Sequence, residues 1–213
     1  MLSIEFVITK DQASPALKSV AYGLQPENLM PVLARSVSNS VRDHFDDLEG
    51  TRPNKMGGER THYYSGARAG TSYTVEGDTA TVHVSQVGIR LRYYGGTVEA
   101  GKGVSSATGQ PTKYLTIPAT PETYGHRAAD FPDMKVLWGK NGPYGLGRVE
   151  QKMMATVKSS GPSTKETTIM FWLKASVDIQ GDRTMLPSDS ELNDALQENF
   201  GKYVAMLWRR RAA

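Results

Sequence analysis

Four histidines, His44, His62, His83 and His126, are the side chains most suited to proton transfer or metal binding near neutral pH. Their spacing supports neither. No HExxH-like pair sets two imidazoles on one helix face. His44 falls beside the apolar stripe of a helix and reads as a core-edge residue, and His83 falls on the polar side of a strand. Asp46, Asp47 and Glu49 crowd a helix end just before a loop, with no partner nucleophile, and read as a solvated terminus. Gly142, Gly145 and Gly147 suggest a phosphate loop. Such a cradle needs a following helix N-terminus and usually a Lys-Ser/Thr pair, whereas Arg148-Val149-Glu150 follows here. With no cysteine there is no thiolate nucleophile or thiolate metal site. The residues therefore assign no catalytic, cofactor-binding or metal role, no cofactor is implied, and the chain reads as a non-enzyme.

The aromatic residues carry more information. His62-Tyr63-Tyr64 and Arg92-Tyr93-Tyr94 set tyrosine pairs beside basic neighbours. Such sets stack on nucleic-acid bases, anchor protein–protein contacts, or pack half-buried in a small core. Trp138 and Tyr144 lie in a Gly- and Pro-rich stretch that predicts exposure. Arg92, Tyr93, Tyr94, Trp138 and Tyr144 form the candidate protein-interface set.

The elements that must position them follow from periodicity. Leu2, Ile4, Phe6 and Ile8 alternate with polar residues, predicting a strand over 2–9. Ser14-Pro15 opens a short helix with Leu17, Val20 and Ala21 as its stripe and Gly23 as its stop. Leu29, Leu33, Val37, Val41, Phe45 and Leu48 predict a long amphipathic helix, capped by Asn28, with Pro31 in its first turn and Gly50 and Pro53 ending it. Tyr73 and Val75, the Gly77-Asp78 turn, and Ala80, Val82 and Val84 predict a hairpin. Residues 87–94 read as a short helix closed by Gly95-Gly96. Residues 169–179 alternate throughout as one strand, with Ile169, Phe171, Leu173, Ala175, Val177 and Ile179 on one face. Met170 and Trp172 suggest partial cover of the other face. Ser188 and Glu191 predict a capping box for a last helix with Leu192, Ala195, Leu196, Phe200, Tyr203, Val204 and Leu207 as its stripe. The segment 97–163 has only short apolar bursts, Tyr114–Pro118 and Val136–Trp138, and predicts an extended hairpin or loop arm projecting from the core. The expected fold is α+β: a single domain over 1–213, with an antiparallel sheet packed by two long amphipathic helices.

Composition narrows the class. The chain of 213 residues suffices for one full core, and 38 % hydrophobic with 22 % charged residues is ordinary for a globular protein. The cysteine-free sequence suits a reducing compartment. Neither a signal peptide nor a membrane-spanning run is expected. The formal charge of +3 is dispersed, with one cluster at Arg209-Arg210-Arg211, so electrostatic DNA binding is weakly supported.

Several strings occur together in order: Thr61-His62-Tyr63-Tyr64-Ser65-Gly66-Ala67, Gly88 to Val98 with its Tyr93-Tyr94-Gly95-Gly96 centre, Lys113 to Ala119, Phe171-Trp172-Leu173-Lys174, and Leu186-Pro187-Ser188-Asp189. From the first long helix through the last, the chain resembles the virion morphogenesis family, the tail-completion proteins of Mu-like and P2-like phages. The resemblance implies a structural virion protein assembled in the host cytoplasm and placed at the neck, where it joins tail to head. It implies a homo-oligomeric ring of six or twelve copies, contacting neighbouring neck, tail-terminator or head-connector proteins, with incidental contact to genomic DNA in the channel and none to a membrane. Tail completion, tail termination and head-side connection remain open within it. The alternative from the residues themselves is a nucleic-acid-binding protein using the basic and tyrosine-rich segments.

Overall fold

The computed structural model describes residues 13–54, 56–102, 111–151 and 165–209. The strand expected over 2–9, and Arg210 and Arg211 of the arginine cluster, lie outside the described residues. The chain is mixed helix and antiparallel sheet, an α+β composition. Contacts group it into two compact units: Met1–Gly50, Tyr64–Ile89 and Arg183–Ala213 in the first, Thr51–Tyr63 and Arg90–Asp182 in the second.

The first unit is mainly helical. Helix α1 covers Ala13–Gly23, α2 covers Pro26–Thr51, α3 covers Tyr63–Ala69 and α5 covers Asp189–Arg209. The expected cap of α2 is displaced. The Gln25 carbonyl accepts the first helical bonds, from Asn28 and Leu29 at 2.9 Å each, and Pro26 occupies the first position, where its fixed φ suits a helix start. Asn28 instead donates its side-chain amide to the Tyr22 carbonyl at 2.9 Å, and Pro31 falls inside the helix. Ala34, Ser38, Val41, Phe45 and Leu48 recur at three- and four-residue spacing and are all buried. Val41, Phe45, Leu48 and Ala67 form the core, packed by Tyr64, Val84, Leu186 and Leu192. Phe45 and Tyr64 stack at 6.4 Å.

Val84 belongs to the expected hairpin: β1, Thr71–Glu76, pairs antiparallel with β2, Thr79–Val84, across Gly77-Asp78, with Gly77 at φ 61. The α1 stripe is corrected. Ala16 and Gly23 are buried while Leu17 and Ala21 are exposed. The cause is the close approach of α5: Leu207 lies 2.4 Å from where a Gly23 Cβ would sit, and the Tyr203 hydroxyl donates to the Gly23 carbonyl at 3.1 Å. On α5 itself, Phe200 is exposed and Asn199 takes the inner position. Its amide donates to Ser36 Oγ on α2 at 2.9 Å.

The second unit carries the sheets. Its described part of 97–163, expected as an extended hairpin or loop arm, contains regular strands, β5–β6 as a hairpin among them: the short apolar bursts are strands. Strand β3, Gly95–Glu99, follows α4, Ile89–Tyr94, and pairs with β8, Ser176–Gln180. Strands β4, Leu115–Pro118, β5, Lys135–Gly139, β6, Gly142–Gln151, and β7, Lys165–Lys174, make an antiparallel sheet in the order β4-β7-β6-β5.

The single strand expected over 169–179 is interrupted once and bulged once. At Ala175 the chain leaves one sheet for the other. At Met170 an extra residue intrudes: Phe171 pairs with Leu146, but Ile169 pairs with Gly147. This bulge reverses the alternation, so Ile169 shares a face with Trp172 rather than with Phe171. The bulge is held in place because the Met170 carbonyl accepts from the Ala119 amide at 2.9 Å and the buried Thr123 hydroxyl at 3.0 Å.

Candidate assembly interface

All five candidate interface residues lie in the second unit, in two groups. The first group surrounds the α4–β3 junction. Arg92 lays its guanidinium over the Tyr63 ring, 3.8 Å from the centroid, a cation–π contact that holds the side chain flat. His62, just before it, adopts the left-handed conformation at φ 51. Tyr93 and Tyr94 meet edge to face at 4.9 Å, and Tyr94 stays 62 % exposed.

The glycines that follow have a backbone reason. Gly95 sits at φ 77, and a Cβ there would stand 2.6 Å from the Gly181 nitrogen and 2.8 Å from the Ile179 carbonyl. The Asp182 amide donates to the Arg92 carbonyl at 2.8 Å, and Arg52 Nη1 reaches the Asp182 carboxylate at 2.6 Å. The exposed Tyr94 ring therefore projects from a junction tied on several sides.

The second group is on the β5–β6 hairpin. Trp138 pairs in register with Pro143 and is 72 % exposed, the most exposed tryptophan described. Tyr144 is the extra residue between the Leu137↔Gly145 and Trp138↔Pro143 pairs, and it is 41 % exposed. Its ring lies over Gly139, with Cδ1 3.3 Å from where a Cβ would be. Trp172, on the face that the alternation suggests is partly covered, is 40 % exposed; alternation sets it opposite Phe171 but does not reveal what lies over that face.

Around Phe171 one face of this sheet is covered by its own chain. Phe171 is fully buried there and meets Phe131 edge to face at 5.8 Å. Arg148, on the same face by register, pairs with Asp133 and with Glu122 at 3.4 Å. The guanidinium holds the Asp133 carboxyl below its usual range, and Asp133 in turn raises the Arg148 pKa.

The groups with catalytic potential stay apart. His44 Nε2 contacts the Thr184 carbonyl at 3.1 Å, His83 contacts the Thr74 hydroxyl at 3.1 Å, and His126 packs against Phe131. Among the described residues no three His, Asp or Glu side chains are placed to hold a metal, and no helix is long and apolar enough to cross a membrane. In the first unit a polar groove of about 440 Å³ runs between α2 and α5, bordered by Asp43, Asp47, Glu191 and Glu198. Glu191 is engaged by Ser188 and Glu198 by Lys202, and these bonds lower both carboxyl pKa values.

The chain matches no protein-family model, no curated protein and no solved structure.

Proposed function

We propose that this chain is a structural component of a phage neck, one subunit of a ring that joins tail to head. The observation that supports this most directly is the set of large aromatic anchors left in solvent on ordered elements: Tyr94, Trp138 and Tyr144. Aromatic anchors with arginine support are the residue types that dominate protein–protein contacts. The order of the Tyr93-Tyr94-Gly95-Gly96, Lys113–Ala119 and Phe171–Lys174 strings along the chain supports the same reading.

In this reading the segment 97–163, which carries Trp138 and Tyr144, reaches the neighbouring copy. A ring uses heterologous contacts, one surface of a subunit against a different surface of the next. Six copies match a tail and twelve a portal-side neck. The protein then works in the virion without catalysis, beside neighbouring neck, terminator or connector proteins.

The test combines electron microscopy of particles made without this protein with mass photometry of the purified chain. Finished heads and tails left unjoined, and a ring mass of six or twelve subunits, are the expected results. Particles that join normally overturn the reading. Tyr94→Ala and Trp138→Ala together should abolish the ring while leaving the monomer folded.

A further inference from the structure

The second face of the four-stranded sheet is built differently from the one on which Phe131 meets Phe171. Strand register puts Leu115, Ile117, Trp172, Lys174, Ile169, Gly145, Gly147, Leu137 and Lys135 on it. Its centre is kept low. Leu137 lies across the two glycines, with Cδ1 2.8 Å from where a Gly147 Cβ would be, and Ile169 Cγ2 lies 3.4 Å from the equivalent point on Gly145. Above this floor stand two rings, Trp172 at 40 % exposure and Tyr144 over Gly139. They sit on the adjacent central strands β7 and β6, which run about 4.8 Å apart. Lys135 and Lys174 are exposed on the same face, and no Asp or Glu occupies a described strand position on it.

This combination selects the occupant by charge. A purely apolar partner would leave both lysines unanswered, and a basic partner would be repelled. Exposed rings on central strands, an apolar floor and flanking ammonium groups without carboxylates suit a chain that carries planar bases and phosphates. We propose that this face is a stacking platform for single-stranded nucleic acid, with one base on Trp172, the next on Tyr144, and phosphates near Lys135 and Lys174. Unpaired bases are required, because a duplex buries the ring faces that would stack. The platform shares Tyr144 with the candidate interface but uses none of Arg92, Tyr93, Tyr94 or Trp138, so Trp172→Ala and the two lysine variants test it apart from the ring reading.

The experiment is fluorescence anisotropy of a labelled thymidine oligonucleotide of about 15 residues with the full chain. Binding is expected at low salt. Trp172→Ala and Tyr144→Ala should each weaken it about five- to one-hundred-fold, while Trp172→Phe, which keeps a ring, should retain most of it. With two phosphate contacts, affinity should fall about sevenfold between roughly 50 and 200 mM salt, and Lys135→Gln with Lys174→Gln should remove most of that dependence. A duplex of the same length should bind more weakly. Absence of binding at low salt overturns the proposal, as does binding by Trp172→Ala equal to wild type. Substitutions on this face that break a ring by mass photometry but leave oligonucleotide binding intact make it a protein contact and overturn the proposal as well.

Discussion

Ser38 shows how much a single atom can decide. It lies on the buried stripe of α2 between Ala34 and Val41, fully enclosed, and its hydroxyl has no hydrogen-bond partner among the described residues. A buried hydroxyl without a partner forfeits its hydration, at about 1–3 kcal/mol. Ser38→Ala should therefore stabilise the protein by about 1 kcal/mol, raising Tm by roughly 2–4 °C in a chain of this size. Thermal unfolding followed by circular dichroism checks this, and a lower Tm would mean the hydroxyl is satisfied after all. The sequence had no means of marking Ser38. Of the stripe Leu29, Leu33, Val37, Val41, Phe45 and Leu48, the last three are buried and the first three only half-buried, while the enclosed positions nearer the start include the small residues Ala34 and Ser38, which periodicity of large side chains passes over.

Among the elements, α5 was the most legible. Ser188 and Glu191 form the expected reciprocal box: the Ser188 amide donates to Glu191 Oε2 at 2.7 Å, and the Glu191 amide donates to Ser188 Oγ at 3.3 Å. Its signal is local, four residues long, and does not depend on the rest of the fold. Ser188→Ala should cost about 1 kcal/mol of stability, measured by urea unfolding near neutral pH. The pH dependence has a definite sign. The folded Glu191 pKa lies below its ordinary 4.5, lowered by the Ser188 backbone and side-chain bonds, so its contribution is present above that value and is lost as pH falls below it. The difference between wild type and Ser188→Ala should therefore shrink below about pH 4.5; a difference that grows on acidification would contradict the assignment. Strand β7 was legible only in kind. Its bulge depends on the Ala119 amide and the Thr123 hydroxyl reaching Met170 from about fifty positions earlier, and no local pattern carries that information. For the candidate interface the split is similar. Trp138 and Tyr144 were visible because loop-like composition predicts exposure, whereas the clamp of Arg92 on Tyr63 required the fold.

For the whole molecule, each unit has a core of its own, centred on Phe45 in the first and Phe171 in the second. Truncating either aromatic to alanine removes about 3–5 kcal/mol of packing. Phe45→Ala should speed amide hydrogen exchange chiefly in α2, β1, β2 and α5, and Phe171→Ala chiefly in β4 to β7. Equal acceleration everywhere from either substitution would mean that the chain opens as one cooperative body. The first unit is also assembled from three separate stretches of chain, and its last, Arg183–Ala213, contains α5. That arrangement sets a timetable on the ribosome. The second unit has all its residues once Asp182 has been joined, but α2 must wait for Leu192 and Asn199 before its inner face is covered. At about 5–20 residues per second, the roughly 150 residues from Thr51 to Asn199 leave that face bare for about 7–30 seconds, a window in which a nascent-chain chaperone has something to hold.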